Sequence, residues 1–204
     1  ISVNSLRCFF CNSPVSLGIK FARILLGGIS LNLKVKNMIY CSMFACITAI
    51  LAQIRFTLPS LVPITLQTLG IYLIGLVLKP KIAFISSLIY ILMGAIGLPV
   101  YSGFSAGLST ILGPTGGYIF SFPITALIIS YLVHYRSTTI FKFGALILGT
   151  IICYLIGTLW FMYIMKMSFS ASLIICVLPF LPGDVLKIFI AAALTNKFKN
   201  IIKD

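Results

Sequence analysis

From Ile82 to Tyr135 the chain contains no Lys, Arg, Asp or Glu. A helix needs about 20 apolar residues to cross the hydrocarbon core of a bilayer, so this run has room for two crossings and an uncharged connection. A soluble chain could not bury it together with the rest, because 60% of the 204 residues are hydrophobic and 8% are charged. We therefore predict an all-α membrane protein.

Charged residues and prolines delimit the other spans. Residues 38–54, 56–78 and 143–165 give a first, a second and a fifth span, which makes six transmembrane helices with the two above and one near the C-terminus. Pro179 and Pro182 interrupt the sixth span, because a proline removes a backbone hydrogen bond. We expect a short apolar lead-in over roughly 171–178 and a fresh helix beginning at Pro182, whose missing N–H is harmless in a first turn.

The basic residues predict the orientation. The net charge of +13 does not indicate nucleic-acid binding, because the basic residues separate long apolar runs and are not gathered on one face. If the N-terminus is cytoplasmic, twelve basic residues fall inside and two, Arg55 and Lys166, fall outside. This asymmetry follows the positive-inside rule and places both termini in the cytoplasm. The fifteenth basic residue, Lys187, lies within the sixth span.

Residues 1–36 differ from the rest of the chain. They are basic and contain no apolar run long enough to span, so we expect an interfacial or disordered extension before a membrane domain of residues 37–204. Cys8 and Cys11 form a CxxC pair, but a tetrahedral zinc site needs a second pair of ligands. We expect neither a metal nor a cofactor.

Asp184 and Lys187 form the main candidate site. Asp184 is one of only two acidic residues in the chain, and it lies in an apolar stretch where a charge is costly. Residues three apart on a helix share a face, so the two side chains can neutralise one another. One interpretation is an ion pair that fixes helix packing, and the other is a binding site near the outer side of the membrane.

Other polar and aromatic residues are candidates for the same site. The uncharged loop of residues 98–117 is rich in Gly and Ser, falls on the same side as Asp184, and carries Tyr101 and Phe104, with Tyr118 just beyond it. Gln67 is polar amid apolar neighbours, although a membrane glutamine can also simply bridge two helices. Donors and acceptors of this kind suit a small molecule that bears both N–H groups and a carboxylate.

Two further features concern catalysis and partners. The spans contain neither a nucleophile with a base nor paired carboxylates, so we expect no enzyme activity. The sequence also lacks the GxxxxGK[ST] pattern of a P-loop, so any ATP-driven step must come from another subunit. Ala45 and Ala49 give a small-xxx-small pattern in the first span, which either packs inside the bundle or lets another transmembrane helix approach.

Four stretches of the chain are distinctive: PSLVPITLQTLG (59–70), GAIGLPVYSGFSAGL (94–108), LGPTGGYIFSFP (112–123) and PFLPGDVLK (179–187). In this order and spacing they resemble the BioY family of biotin-specific substrate-binding (S) components of energy-coupling factor (ECF) transporters. The resemblance implies a six-helix S-component fold in the prokaryotic plasma (inner) membrane and high-affinity uptake of biotin. It also implies two kinds of partner, a transmembrane coupling (T) subunit and a pair of ABC ATPases.

The resemblance also implies roles for individual residues. Asp184 would contact the ureido N–H groups of biotin, and Lys187 would contact a carbonyl or the valerate carboxylate. Ala45 and Ala49 match the alanine pattern that contacts the coupling subunit. Two alternatives remain open: a stand-alone biotin facilitator, and a structural membrane protein whose Asp184–Lys187 pair only packs helices.

Overall fold

The computed structural model describes residues 33–56, 63–136 and 138–202. Within them lie eight α-helices, one 3₁₀ turn (Ser102–Phe104) and two short strands. The helices and strands are α1 Leu33–Gln53, β1 Arg55–Phe56, β2 Ile64–Thr65, α2 Gln67–Val77, α3 Pro80–Ala95, α4 Leu108–Leu112, α5 Gly116–Tyr135, α6 Thr139–Met165, α7 Phe169–Cys176 and α8 Leu181–Ile202.

The residues group into two compact units, Ile1–Lys36 and Asn37–Asp204. Of the first unit only residues 33–36, the first turn of α1, are described. The remainder of the predicted extension, with Cys8 and Cys11, lies outside the described residues, so its character stays a prediction.

Most of the predicted spans are helices. Val35–Gln53, Gly116–Tyr135 and Thr139–Met165 are long and apolar enough to cross a membrane, and the bent pair α7 and α8 gives a fourth candidate. The short apolar helices α2 and α3 fall in the predicted second and third spans. The predicted helical membrane fold is thus confirmed, while the count of six spans and the cytoplasmic termini stay predictions.

The second predicted span differs from a continuous helix. Of the span's described residues, 56 and 63–78, only Gln67–Val77 is helical, over 11 residues. Before it, Arg55 and Phe56 pair with Thr65 and Ile64 as two antiparallel strands. Pro63 offers no N–H for a helix, and the strand pairing satisfies backbone groups that a helix would otherwise have satisfied. The chain therefore turns back on itself before α2, and this turn brings Thr65 and Gln67 to the site.

The break before the last helix is confirmed. α7 ends at Cys176, α8 begins at Leu181, and the two helices are bent by 53°. Pro182 lies in the first turn of α8, one residue from the predicted start. Asp184 lies in the same turn, where the positive end of the helix dipole stabilises a carboxylate.

The core centres on α5, which packs against α2, α3 and α6, while α8 packs against α2 and α6. The first helix joins this core through small groups. A Cβ on Gly70 of α2 would stand 2.9 Å from the Cα of Thr48 on α1, so only glycine permits this approach. Ser86 of α3 donates a hydrogen bond to the carbonyl of Cys41, at 2.9 Å. Close packing by small residues and hydrogen bonds between helices is what holds a bundle together in lipid.

Candidate functional site

A cavity of about 170 Å³ lies between α2, α5, α6, α8 and the segment that connects α3 to α5. A single water needs about 10–15 Å³ of such space, so the cavity has room for a small organic molecule. Aromatic rings, hydroxyl groups and one ion pair share its wall. The lining residues are Pro63, Thr65, Gln67, Thr68, Tyr72, Tyr101, Ser102, Ser105, Thr110, Thr115, Tyr118, Ile119, Phe122, Thr150, Cys153, Tyr154, Phe180, Asp184 and Lys187.

The Asp184–Lys187 ion pair is part of this wall. Lys187 Nζ lies 2.6 Å from Asp184 Oδ1, and the two side chains are only 4–5% exposed. A bare charge at such burial costs roughly several kcal/mol, and the attraction within the pair offsets part of that cost. The predicted same-face arrangement is therefore present, and it faces a cavity.

Neighbouring helices hold the two charges. Tyr154 on α6 donates a hydrogen bond to Asp184 Oδ2, and Lys187 donates one to Thr68 Oγ1 on α2, at 3.1 Å. An ammonium has three donors and a carboxylate has about four acceptor positions, so each charge keeps hydrogen-bonding capacity after these contacts. The pair can therefore offer a ligand both an acceptor and a donor while its own net charge is zero.

Gln67 lines the cavity but also bridges two helices. Its Nε2 donates to the hydroxyl of Tyr90 on α3, at 2.7 Å, and that hydroxyl donates to the carbonyl of Val100, at 2.9 Å. The chain of hydrogen bonds ties α2 to the loop after α3. Gln67 thus bridges two helices through its amide nitrogen and also lines the cavity, as each of the two interpretations of this residue required.

Tyr101 closes one side of the cavity. It is fully buried, its hydroxyl donates to the carbonyl of Ile91 at 2.6 Å, and its ring packs edge-on against Tyr90. The ring also covers Gly94, where a Cβ would stand 2.0 Å from Cζ. Burial raises the pKa of Tyr101 to about 12, so its hydroxyl stays a donor at neutral pH. The hydroxyl of Tyr101 is thus engaged by the protein's own backbone, while the residue lines the cavity.

Gln53 at the end of α1 fastens the loop that carries Tyr101. Its Nε2 donates to the carbonyl of Tyr101, at 3.2 Å, and its Oε1 accepts from the backbone N–H of Phe104, at 2.8 Å. The side chain of Phe104 is 71% exposed and does not line the cavity. Gly103 and Phe104 both have positive φ, and this turn leaves the ring on the outside. Of the six predicted substrate-binding residues, Phe104 is the one that the structure does not bring to the cavity.

Tyr118 joins the cavity to the broken last span. Its hydroxyl donates to the carbonyl of Cys176 on α7, at 3.4 Å. Its ring packs on Gly157 of α6, where a Cβ would stand 2.3 Å from Cε1. Tyr118 therefore lines the same cavity as Asp184, and its hydroxyl faces the helix break.

Sequence reasoning missed several lining residues. Tyr154 holds Asp184, and Tyr72 donates to Thr150 Oγ1 at 2.6 Å, because the Thr150 hydroxyl itself donates to the carbonyl of Leu146. A usable signal existed, since tyrosines concentrate at membrane interfaces and those in mid-span usually face the protein interior. Phe122 and Phe180 gave no such signal, because a phenylalanine in an apolar run is equally at home in lipid.

The alanine pattern of α1 lies mostly inside the bundle. Ala45 is fully buried in the chain's own core, and Ala49 packs against that core while partly exposed. The outward face of the same helix instead carries Ser42, Cys46 and Ile50. Ala45 thus packs within the chain's own core, Ala49 keeps part of its surface exposed, and the contact of this pattern with a coupling subunit stays a prediction.

The fold and the cavity define a helical membrane protein with an internal cavity that has room for a small molecule. Residues 25–204 match the sequence profile of the BioY family. The chain is 37% identical to a probable biotin transporter BioY of Pyrococcus horikoshii, over 82% of this chain and 98% of that protein. It is 33% identical to the biotin transporter BioY2 of Lactococcus lactis, over 76% of this chain and 86% of that protein.

A solved structure is also similar. It is the S-component for biotin from an ECF-type ABC transporter, with a TM-score of 0.76 and 29% identity over 85% of this chain and 95% of that chain. The chain belongs to the BioY family.

Proposed function

We propose that this chain binds biotin and serves as the S component of an ECF transporter. The buried Asp184–Lys187 pair on the wall of the cavity is the observation that carries the proposal. Membership of the BioY family and the similarity to the biotin S-component support it. The activity is uptake across a membrane, and biotin is the transported substrate and not a resident cofactor.

The chemistry of the ion pair matches the ureido ring of biotin. That ring carries two N–H donors and one carbonyl acceptor, and it has no net charge. Asp184 keeps acceptor capacity for the N–H groups, and Lys187 keeps a donor for the carbonyl. A neutral pair facing a neutral ring leaves no uncompensated charge in the buried site. The aromatic rings of Tyr118, Phe122 and Phe180 provide apolar surface for the remainder of the bicyclic system.

The energy for uptake comes from partners in this proposal. A transmembrane coupling (T) subunit and a pair of ABC ATPases would complete the transporter, because the sequence has no P-loop. The S component then reorients in the bilayer to release biotin inside. Six spans, cytoplasmic termini and a place in the prokaryotic plasma membrane belong to the same proposal, and the distribution of basic residues supports them.

The two alternatives are less well supported. A structural role for the ion pair would place it in dry packing between helices, whereas Asp184 and Lys187 both border the cavity. A stand-alone facilitator would use the same cavity without the ATPases. These two transport mechanisms differ in their need for partners and not in the geometry of the site.

Uptake in cells tests the proposal. The chain is produced in a biotin-requiring host that lacks its own biotin transporter, with and without a T subunit and ATPase pair. Uptake of labelled biotin at nanomolar concentration is expected only with the partners. Equal uptake without them would establish the facilitator, and retention of the label by neither strain would contradict biotin binding.

A further inference from the structure

The strands before α2 place a cation beside the loop that caps the cavity. Arg55 on β1 is paired with Thr65 on β2, and Thr65 lines the cavity. The Arg55 guanidinium lies against the backbone of Gly103, where a Cβ would stand 2.2 Å from Nη1 and 2.3 Å from Cζ. Gly103, at φ 68°, is the neighbour of the lining residue Ser102. The guanidinium is thus beside the rim of the site.

Arg55 has no carboxylate partner among the described side chains. The chain has two acidic residues, and Asp184 is bound by Lys187 and Tyr154. Asp204 lies outside the described residues. Arg55 is solvent-exposed, so its charge is not costly there, but its guanidinium remains available for an anion.

Ser102 supplies an independent indication of a ligand. Its hydroxyl oxygen is buried and has no hydrogen-bond partner within the described residues, although the residue lines the cavity. A buried polar atom without a partner costs about 1–3 kcal/mol, so native structures usually provide one. The Arg55 guanidinium and the Ser102 hydroxyl are both hydrogen-bond donors, so together they could bind the two oxygens of one carboxylate.

From these contacts we propose that Arg55 and Ser102 bind the carboxylate of an anionic ligand at the rim of the cavity. The proposal rests on biotin as the ligand. It assigns Arg55 and Ser102 to the carboxylate, which is at the opposite end of biotin from the ureido ring. It also assigns Lys187 to the ureido carbonyl and not to the carboxylate. Lys187 is already neutralised by Asp184, and a carboxylate beside that buried pair would be an uncompensated charge. At the rim, a guanidinium can bind both carboxylate oxygens while solvent still reaches them.

The test compares biotin with biotin amide, whose side chain ends in a neutral amide. Binding of each is measured by equilibrium titration of the purified chain, as wild type and as Arg55→Gln, Arg55→Lys and Lys166→Gln. The last variant is a matched control, because Lys166 is an exposed cation in a different loop, at the end of α6.

Arg55→Gln is expected to weaken biotin about tenfold and to leave biotin amide unchanged, since only the former has the charge-assisted contact. Arg55→Lys should recover part of the loss, and Lys166→Gln should change neither ligand. The wild-type preference for biotin over the amide should also fall as salt rises. Ser102→Ala should weaken biotin more than the amide.

Equal weakening of both ligands by Arg55→Gln would overturn the proposal, because it would mean that Arg55 only braces the Gly103 turn. An unchanged affinity for biotin in that variant would overturn it as well. Failure of the wild type to bind either ligand would instead contradict the proposed function itself. The two failures are therefore distinguishable in one set of titrations.

Discussion

Tyr154 on α6 donates a hydrogen bond to Oδ2 of Asp184 on α8, and Lys187 occupies Oδ1 of the same carboxylate. The hydrogen bond from Tyr154 therefore links α6 to the Asp184 carboxylate of α8, and both helices line the cavity. A carboxylate held at both oxygens cannot rotate freely, so its remaining lone pairs point in defined directions. This arrangement makes Tyr154 a positioning residue for the proposed biotin site.

Tyr154→Phe removes this hydrogen bond and keeps the ring. We expect biotin to bind roughly tenfold more weakly, because a hydrogen bond to a charged group contributes about 1.5–3 kcal/mol. Equilibrium binding of labelled biotin to the purified variant measures the effect. Tyr163→Phe is the matched control, since that tyrosine is on the same helix and is 77% exposed. The same small change in both variants would contradict a positioning role for Tyr154.

Replacing the ion pair separates binding from packing. Asp184→Asn leaves a buried ammonium without its counter-charge, so we expect a loss of stability of about 3–5 kcal/mol together with loss of biotin binding. The double change Asp184→Leu and Lys187→Leu removes both charges and should be clearly less destabilising, because leucines avoid the desolvation cost.

Thermal unfolding and biotin retention are measured on both variants of the ion pair. The double-leucine protein is expected to fold and to retain no biotin. Retention at the wild-type level by that protein would show that the pair only packs helices.

Gln53 is expected to control the cap of the cavity. Gln53→Ala removes the hydrogen bonds to Tyr101 and Phe104 that fasten the loop to α1. We expect faster release of biotin, by up to about 30-fold, because two hydrogen bonds of about 1 kcal/mol each no longer hold the loop. Stopped-flow or filter-binding dissociation rates measure this.

Ser42→Ala, on the exposed face of the same helix, is the control for Gln53→Ala. It should leave the rate of release unchanged. An unaltered rate in Gln53→Ala as well would mean that the loop stays in place without the glutamine.

Gly94 is expected to be irreplaceable beneath Tyr101. A Cβ there would stand 2.0 Å from the Tyr101 ring, which must then leave its position. Gly94→Ala should destabilise the fold by about 1–3 kcal/mol, as overpacking does, and should weaken biotin binding because Tyr101 lines the site. Thermal unfolding in detergent checks the first effect.

Gly144→Ala on α6 provides the comparison for Gly94→Ala. No atom lies within 4 Å of its added Cβ, so stability should be unchanged or higher by up to about 1 kcal/mol. Equal stability of the two alanine variants would contradict the close packing of Tyr101 on Gly94.

Much of the fold is predictable from where the charges and prolines stand. The gap between Lys81 and Arg136 contains α5 and nearly all of α3, and Pro182 marks the first turn of α8 to within one residue. The late start of α2 within the second span was not predictable from hydropathy. The pairing of Arg55–Phe56 with Ile64–Thr65 is a tertiary outcome that apolar composition does not encode.

The site, like the fold, has residues that the sequence predicts and residues that only tertiary packing brings together. Asp184 and Lys187 are conspicuous in the sequence because charge is rare in a span, and both line the cavity. Tyr154 and Thr68 complete their hydrogen bonds but come from other helices, and only packing brings them there. Phe104 was predicted to line the site and does not, because its positive φ, which composition does not reveal, leaves its ring outside.

The most direct test of the central claim is equilibrium binding of labelled biotin to the purified wild-type chain, without partner subunits. We expect saturable binding of one biotin per chain at nanomolar to micromolar concentration, competed by unlabelled biotin and abolished in the folded double-leucine variant of Asp184 and Lys187. A well-folded wild-type chain that retains no biotin, or a double-leucine variant that retains it fully, would contradict the account.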